Sequence, residues 1–476
     1  MDASIEDVDL LVVGGGKAGK SLAMDRAKAG WSVVMVERDK IGGTCINVAC
    51  IPTKSLVGSA RTLLSARHAA AMGIVVDGTP RVDLPLLRAH EEGVVGGMVD
   101  AHVHLFHDSG MDFVLGTARF VGERTVEIST RQGDVRRVRG RDVVVNTGTT
   151  PALPDVPGLA GASPWTSETI LQLTSIPSRL VVLGGGYIGC EFASMFAIFG
   201  STVTLLQGPD RLLPREDPDV SDEVATVLRA QGVDVRLGVR AVSVRRESVD
   251  AGLWHDEAWH AGQGHDEVVV TLSDGSHVRG AQLLVATGRA PVTADLGLDA
   301  AGVRLTERGF VEVDDHLRTS ADHVWAAGDV AGTPQFTHAS WNDFRILRTL
   351  LTGGDATTAG RLIPYSVFIT PELGRVGLTE TEARAQGYEV RVARIPVAAI
   401  PRAKTLHETV GTWKAVVDAH TDQILGVSLL GGNAGEVIAA VQVAMLAHLP
   451  YQQLRDAVLT HPTMTEGLNL LLDALG

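Results

Sequence analysis

Two of the chain's three cysteines stand five positions apart in "GGTCINVACIPTKS", Gly42 to Ser55. Two thiols that meet form a disulfide by giving up two electrons and two protons, so a close pair is a two-electron store. Three cysteines in 476 residues make no disulfide framework, and the C-x4-C spacing lacks the second Cys or His pair that a zinc site needs. Cys45 and Cys50 therefore read as a redox-active pair rather than a structural one. Five positions across the entry to a helix suit the roughly 5.5–6 Å Cα separation of a disulfide, and a helix N-terminus favours a thiolate. Cys190, the third, directly follows a glycine turn and reads as a small buried hydrophobe.

The segments that must position the pair begin upstream. "VDLLVVGGGKAGKSLAMDRAKAGWSVVMVER" has the order strand, glycine turn, helix, strand. Gly14 permits the tight turn, Gly16 lets backbone approach a pyrophosphate, Gly19 lets helix pack on strand, and Glu37 is placed to accept from a ribose. The pattern returns in "SRLVVLGGGYIGCEFASMFAIFGSTVTLLQG" with Gly184, Gly186 and Gly189. Two dinucleotide folds in one chain imply two nucleotides held so that a hydride passes between them. In the repeat, Gln207 replaces the carboxylate that favours NADH, and Arg211 and Arg215 follow, which leans towards NADPH.

"VVVNTGTTPALPDVPG" and "LLVATGRAPVT" are strands closed by Thr-Gly and prolines, where the chain leaves one domain for another. In "DHVWAAGDVAG", Asp329 after Gly328 is placed to bond a polar cofactor hydroxyl, or is an ordinary turn aspartate. Beyond Leu347 the texture changes to alternating strands and helices of a separate α+β domain, ending in "LTHPTMTEGLN", where Glu466 can reach His461. At about 150 residues per domain, three domains fit the length. The formal charge of −14 argues against nonspecific affinity for nucleic acid or anionic membrane. With no secretory leader pattern and no long apolar run, a cytoplasmic protein is expected.

"GGTCINVACIPTK", the two fingerprints, "AAGDVAG" and "HPTMTE", in this order, resemble the FAD-dependent pyridine nucleotide-disulfide oxidoreductases, which include dihydrolipoamide dehydrogenase, glutathione reductase and mercuric reductase. "GKAGK", "FGSTVTLLQGPDRLLPREDPDV", "QFTHASWNDFRIL" and "VAAIPRAK" look most like the reactive-chlorine-resistance flavoprotein branch, associated with NAD(P)H-dependent reduction of Cu(II). "THAS", Thr337 to Ser340, departs from the "AHKA" usual in dihydrolipoamide dehydrogenases, which counts against lipoamide. No cysteine follows Cys190 to hand over Hg(II) as the terminal pair of mercuric reductases does.

The resemblance implies an α/β fold class: two Rossmann-like domains, FAD-binding (1–154 and 281–346) and NAD(P)-binding (155–280), plus a C-terminal α+β dimerisation domain (347–476). It implies FAD on Gly14, Gly16, Gly19, Glu37, Gly43, Thr44, Thr147, Gly148, Gly328 and Asp329, and NADPH or NADH on Gly184, Gly186, Gly189, Gln207 and Gly288. Cys50 would lie nearer the flavin and Cys45 would meet substrate; Lys54 and Glu191 match a lysine and carboxylate beside the ring. His461 would be the acid and base for the thiols, oriented by Glu466, and would act on the other subunit of a homodimer.

The acceptor is then a small oxidant or metal ion such as Cu(II). The alternatives are an organic disulfide or dithiol of lipoamide-like, low-molecular-weight or biosynthetic kind, and a flavin-bound redox sensor without useful turnover. No resident metal site is expected. "GLWHDEAWHAGQGHDE" carries His255, His260 and His265 at five-residue spacing, which fits neither one helix face nor one strand face and reads as a solvated loop. His102, His104 and His107 read as surface histidines.

Overall fold

The computed structural model describes residues 5–249 and 265–476. Its two compact units are Met1–Ser55 with Arg88–Ala152 and Arg289–Arg361, and Leu56–Leu87 with Leu153–Gly288 and Leu362–Gly476.

In the first unit, Ile5–Val13 forms a strand (β1) whose apolar run is buried on both faces, as a central parallel strand requires. Leu11 and Val13 join the core on one side of the sheet, Leu10 and Val12 the core on the other. Strand β2 (Val33–Glu37) pairs parallel to one edge of β1, and Val135–Val145 to the other. Asp112–Gly122 lies beyond β2 and Val324–Ala326 beyond Val135–Val145, both parallel. Thr125–Thr130 closes an antiparallel meander between Asp112–Gly122 and Val135–Val145. Helix α1 (Lys17–Lys28) shares a core with helix Thr337–Leu350 through Ala18, Leu22, Phe344 and Leu347, and Ser340 Oγ accepts from Ala18 N–H at 3.2 Å.

The second unit repeats this plan. Five parallel strands run in the order Asp234–Arg236, Thr202–Leu206, Arg179–Leu183, Gln282–Val285, Trp165–Thr166, beside an antiparallel meander of Ala241–Val249, His265–Leu272 and His277–Gly280. The same unit holds a five-stranded antiparallel sheet ordered Tyr365–Val367, Glu372–Gly377, Ile424–Gly431, Thr412–Asp418, Val390–Pro396. Helices Ala434–Leu446 and Gly467–Asp473 cover this sheet over a core that includes Trp413, Val441 and Leu471. The expected fold class, two Rossmann-like folds and a C-terminal α+β portion, is thus present. The histidine loop differs in one respect: His265 opens a strand and pairs in register with Val249, whereas His255 and His260 lie outside the described residues.

Candidate active site

The cysteine segment is folded by two left-handed glycines, Gly42 at φ +97° and Gly43 at φ +71°, a conformation that side chains disfavour. A short helix, α2 (Gly43–Asn47), carries Cys45, and α3 (Cys50–Arg67) starts on Cys50 itself. Both cysteines are half-buried thiols, not joined in a disulfide. Thr337, first residue of helix Thr337–Leu350, donates its hydroxyl to Cys45 Sγ at 3.1 Å and lies 3.3 Å from Cys50 Sγ. The hydrogen bond to Cys50, burial and the charge of Cys50 push the Cys45 thiol upward, while the Thr337 hydroxyl and the Lys20 charge oppose them. Lys20 is only 2% exposed; its ammonium donates to Gly42 O at 2.8 Å, and burial followed by the Lys17 charge lowers its pKa to about 8.

The two glycine fingerprints share their tightest contacts at the first and last glycine and differ at the middle one, where a Cβ on Gly16 would come 2.5 Å from Asn146 Oδ1 and one on Gly186 would meet open space. A Cβ on Gly14 would come 2.5 Å from Asn146 O, and one on Gly184 would come 2.5 Å from Ala286 O. A Cβ on Gly19 or Gly189 would enter the carbonyl of Gly14 or Gly184. Gly15 N–H is held by Glu37 Oε2 at 2.8 Å, and its counterpart Gly185 N–H by Gln207 Oε1, also at 2.8 Å. Helix α1 and helix Tyr187–Phe199 start on Gly16 and Gly186, with no side-chain cap and no acid in the first turn. In α1 the Ala18 and Gly19 N–H groups are taken by Ser340 Oγ and Asn146 Oδ1, so it is the positive dipole end of each helix and the glycine turn before it that favour an anion, which fits the pyrophosphate of a dinucleotide in each fold.

A Cβ on Gly43 would stand 2.7 Å from Gly15 O, so Gly43 and Thr44 start α2 tight against the first turn. Thr147 Oγ1 donates to Val292 O at 2.7 Å and Gly148 O accepts from Val292 N–H at 2.9 Å, tying the exit of strand Val135–Val145 to the ribbon Arg289–Pro291. The equivalent Gly288, at φ +143°, has open space where a Cβ would be. Asp329 accepts from Thr149 Oγ1 at 2.8 Å; burial raises its pKa, against the pull of that bond and the charge of Arg289. Gly328 N–H is anchored on the fully buried Asp343 at 2.7 Å.

Lys54 lies half-buried one turn past Cys50 on α3. Glu191 is buried and accepts from Phe368 N–H at 2.8 Å. His461 Nδ1 meets Glu466 Oε2 at 2.7 Å, with the imidazole 68% exposed and the carboxylate 13%. That contact occupies Nδ1 and leaves Nε2 as the second nitrogen of a largely exposed ring. His102, on helix Leu84–Ser109, bonds Met98 O, and burial lowers its pKa. Among the described residues, no group of three His, Cys, Asp or Glu could hold a metal ion, and no helix is long and apolar enough to cross a membrane.

Residues 8–343 match the family of pyridine nucleotide-disulphide oxidoreductases and residues 363–471 its dimerisation domain. The chain belongs to this family. A probable pyridine nucleotide-disulfide oxidoreductase of Escherichia coli, RclA, is 40% identical over 465 residues, covering 96% of this chain and 97% of that one. Mercuric reductase of Bacillus cereus is 34% identical over 466 residues, 98% of this chain and 71% of that one. The solved Cu(II) complex of the HOCl-induced flavoprotein disulfide reductase RclA from Escherichia coli matches with a TM-score of 0.87 at 39% identity, over 98% of this chain and 99% of that one.

As a pyridine nucleotide-disulphide oxidoreductase the protein is an FAD-dependent enzyme that uses NAD(P)H. FAD held by the protein would supply an acceptor for a nicotinamide hydride and a donor of electrons in pairs or singly. The geometry adds residues that the motifs alone did not single out. Asn146 donates to Ala327 O and accepts from Gly19 N–H at 2.9 Å, locking the first fingerprint to two strand ends. Its signal was its place at a strand end just before Thr147-Gly148. Lys20 and Thr337 gave no such signal, because their nearness to the cysteines exists only after folding.

Proposed function

We propose that this oxidoreductase passes electrons from NAD(P)H through FAD and the Cys45/Cys50 dithiol to a small oxidant or metal ion, Cu(II) foremost. The observation that carries this reading is the sulfur cluster itself: two thiols at a helix start, held by one threonine hydroxyl and close to a buried lysine. The likeness to the RclA–Cu(II) complex supports a metal acceptor. In this reading Cys50 takes the flavin side and Cys45 the acceptor side, while Lys54 and Glu191 hold the charged positions beside the flavin. His461, oriented by Glu466, gives and takes the thiol protons at the dithiol of the second subunit of a homodimer. Gly14, Gly16, Gly19, Glu37, Gly43, Thr44, Thr147, Gly148, Gly328 and Asp329 are assigned to FAD, and Gly184, Gly186, Gly189, Gln207 and Gly288 to the nicotinamide nucleotide. The site of action is cytoplasmic.

A second reading, reduction of an organic disulfide, draws on the His461–Glu466 contact, since a leaving thiolate needs a proton and a metal ion does not. Stopped-flow mixing of the NAD(P)H-reduced holoenzyme with Cu(II) chloride or with organic disulfides separates the two. Faster discharge of the thiolate-to-flavin absorbance by Cu(II) is expected; discharge by disulfides alone would replace the first reading with the second.

NADPH is assigned as the better donor. Gln207 is neutral and engaged by Gly185 N–H and by Arg211 O, and Arg240 packs beside Gly208, adding a cation to Arg211 and Arg215. Gln207→Glu keeps the contact to Gly185 N–H, as Glu37 shows, while placing a carboxylate against a 2′-phosphate. The expected result is a shift of the NADPH-to-NADH ratio of kcat/KM towards NADH by roughly tenfold or more. An unchanged ratio would remove Gln207 as the discriminating residue.

A further inference from the structure

The reduced dithiol holds at most two protons between two sulfurs, and the structure shows what surrounds them. Cys50 is the first residue of α3 and Thr337 the first residue of helix Thr337–Leu350, so two positive dipole ends meet at the pair. The Thr337 oxygen is 3.1 Å from Cys45 Sγ and 3.3 Å from Cys50 Sγ, hydrogen-bond range to sulfur in both directions at once. A hydroxyl has one proton to give and lone pairs to receive with, so it can donate to one sulfur while accepting from the other, alongside the direct Cys45–Cys50 hydrogen bond. On the acceptor side, Lys20 is pinned by Gly42 O and adds positive charge near Cys45.

We propose that Thr337 is a positioning residue that places the negative charge of the reduced dithiol: its hydroxyl donates to whichever sulfur is the thiolate, accepts the S–H of the other, and so relays a proton between Cys45 and Cys50 without solvent. The proposal rests on the dithiol reading above. The transfer balances. Cys50 S–H gives its proton to Thr337 Oγ1 as that oxygen gives its own to the Cys45 thiolate. Cys45 is then a thiol, Cys50 a thiolate, the hydroxyl is restored and no electron has moved. Run one way, the charge stands on the sulfur assigned to the flavin; run the other way, it stands on the sulfur assigned to the acceptor.

The test uses the flavin-loaded wild type with Thr337→Val, which keeps the shape and removes the hydrogen bond, and Thr337→Ser, which keeps the hydroxyl. Each is reduced anaerobically to the two-electron level with dithionite near neutral pH. Two signals are read: the long-wavelength thiolate-to-flavin absorbance, and the rates at which iodoacetamide labels Cys45 and Cys50, resolved by peptide mass spectrometry. Losing a donor to a charged acceptor is expected to weaken both signals by up to roughly tenfold in Thr337→Val, with recovery in Thr337→Ser. Wild-type values of both signals in Thr337→Val would overturn the proposal and leave the dithiol reading standing. A Thr337→Ser protein as impaired as Thr337→Val would also overturn it, because the lost methyl contact would then be the cause. Absence of both the absorbance and reduction-dependent labelling in the wild type would bring down the dithiol reading and this proposal together.

Discussion

Replacing Cys50 with serine is expected to lower NAD(P)H-dependent reduction of the acceptor by about a thousandfold or more, while reduction of the bound flavin by the nucleotide continues. A hydroxyl at that position cannot close a disulfide with Cys45, so the two-electron store is lost rather than weakened. Serine is nearly the shape of cysteine, and Cys50 is only half-buried at the first position of an 18-residue helix, so the fold has no reason to fail. Cys45→Ser should abolish turnover as fully, since Cys45 and Cys50 work as one unit and their losses do not add. The two variants should differ in spectrum. With Cys45 gone, the sulfur at the start of α3 is freed from its partner and its thiolate is favoured by the helix end. With Cys50 gone, Cys45 keeps the Thr337 bond and the Lys20 charge but loses the neighbour that pushes its thiol upward. Single-turnover traces at several nucleotide concentrations check both expectations. Full turnover by either variant would mean that electrons leave the flavin without using sulfur, and the mechanism would have to be rebuilt around the flavin alone.

What could be read from the sequence was whatever chemistry writes into short spacing. Gly14, Gly16 and Gly19 were legible because the turn has no room for a side chain, and the same constraint wrote Gly184 and Gly189 into the repeat. The buried parallel strands were legible as apolar runs. Contacts distant in sequence were not. Thr337 comes 287 positions after Cys50, and Asn146 reaches Gly19 across 127 positions. Nothing near Thr337 in the chain marks its hydroxyl as a sulfur partner, and "THAS" registered only as a departure from a familiar pattern. Lys20 was hidden differently. A lysine on a helix ordinarily reads as solvent-facing, and only the packing of α1 against the Gly42 turn buries it. The polar centre around Lys414 likewise joins segments almost two hundred positions apart.

Lys414→Met is expected to cost about 3–5 kcal/mol of stability, the usual toll for breaking a buried ion pair from one side. Lys414 sits on strand Thr412–Asp418 at 3% exposure, and its ammonium meets Asp217 Oδ2 at 2.9 Å, Glu380 Oε2 at 2.9 Å and Asp219 Oδ2 at 3.2 Å. Removing it leaves three carboxylates facing one another. Arg394 still pairs with Asp219 and Arg384 with Glu380, so the burden falls on Asp217, itself 3% exposed. Burial alone would raise the Asp217 pKa; the Thr381 N–H, the Lys414 ammonium, the Thr381 hydroxyl and the Glu380 N–H outweigh it and hold the group at about 2. A folded value below the ordinary carboxylate pKa of about 3.9 makes this group stabilising above that pH, with its contribution lost as pH falls towards 2. Lys414→Met should raise the folded value, so the mutant should be less stable at neutral pH and its acid limb between about pH 4 and pH 2 should flatten. Urea denaturation across that range measures both. A neutral-pH loss below about 1 kcal/mol would put Lys414 among the exposed pairs that contribute little, contrary to its burial. Because none of these groups belongs to the sulfur cluster, the folded fraction of Lys414→Met should keep the thiolate-to-flavin absorbance of the wild type, which separates the residues that hold the fold from those that move electrons.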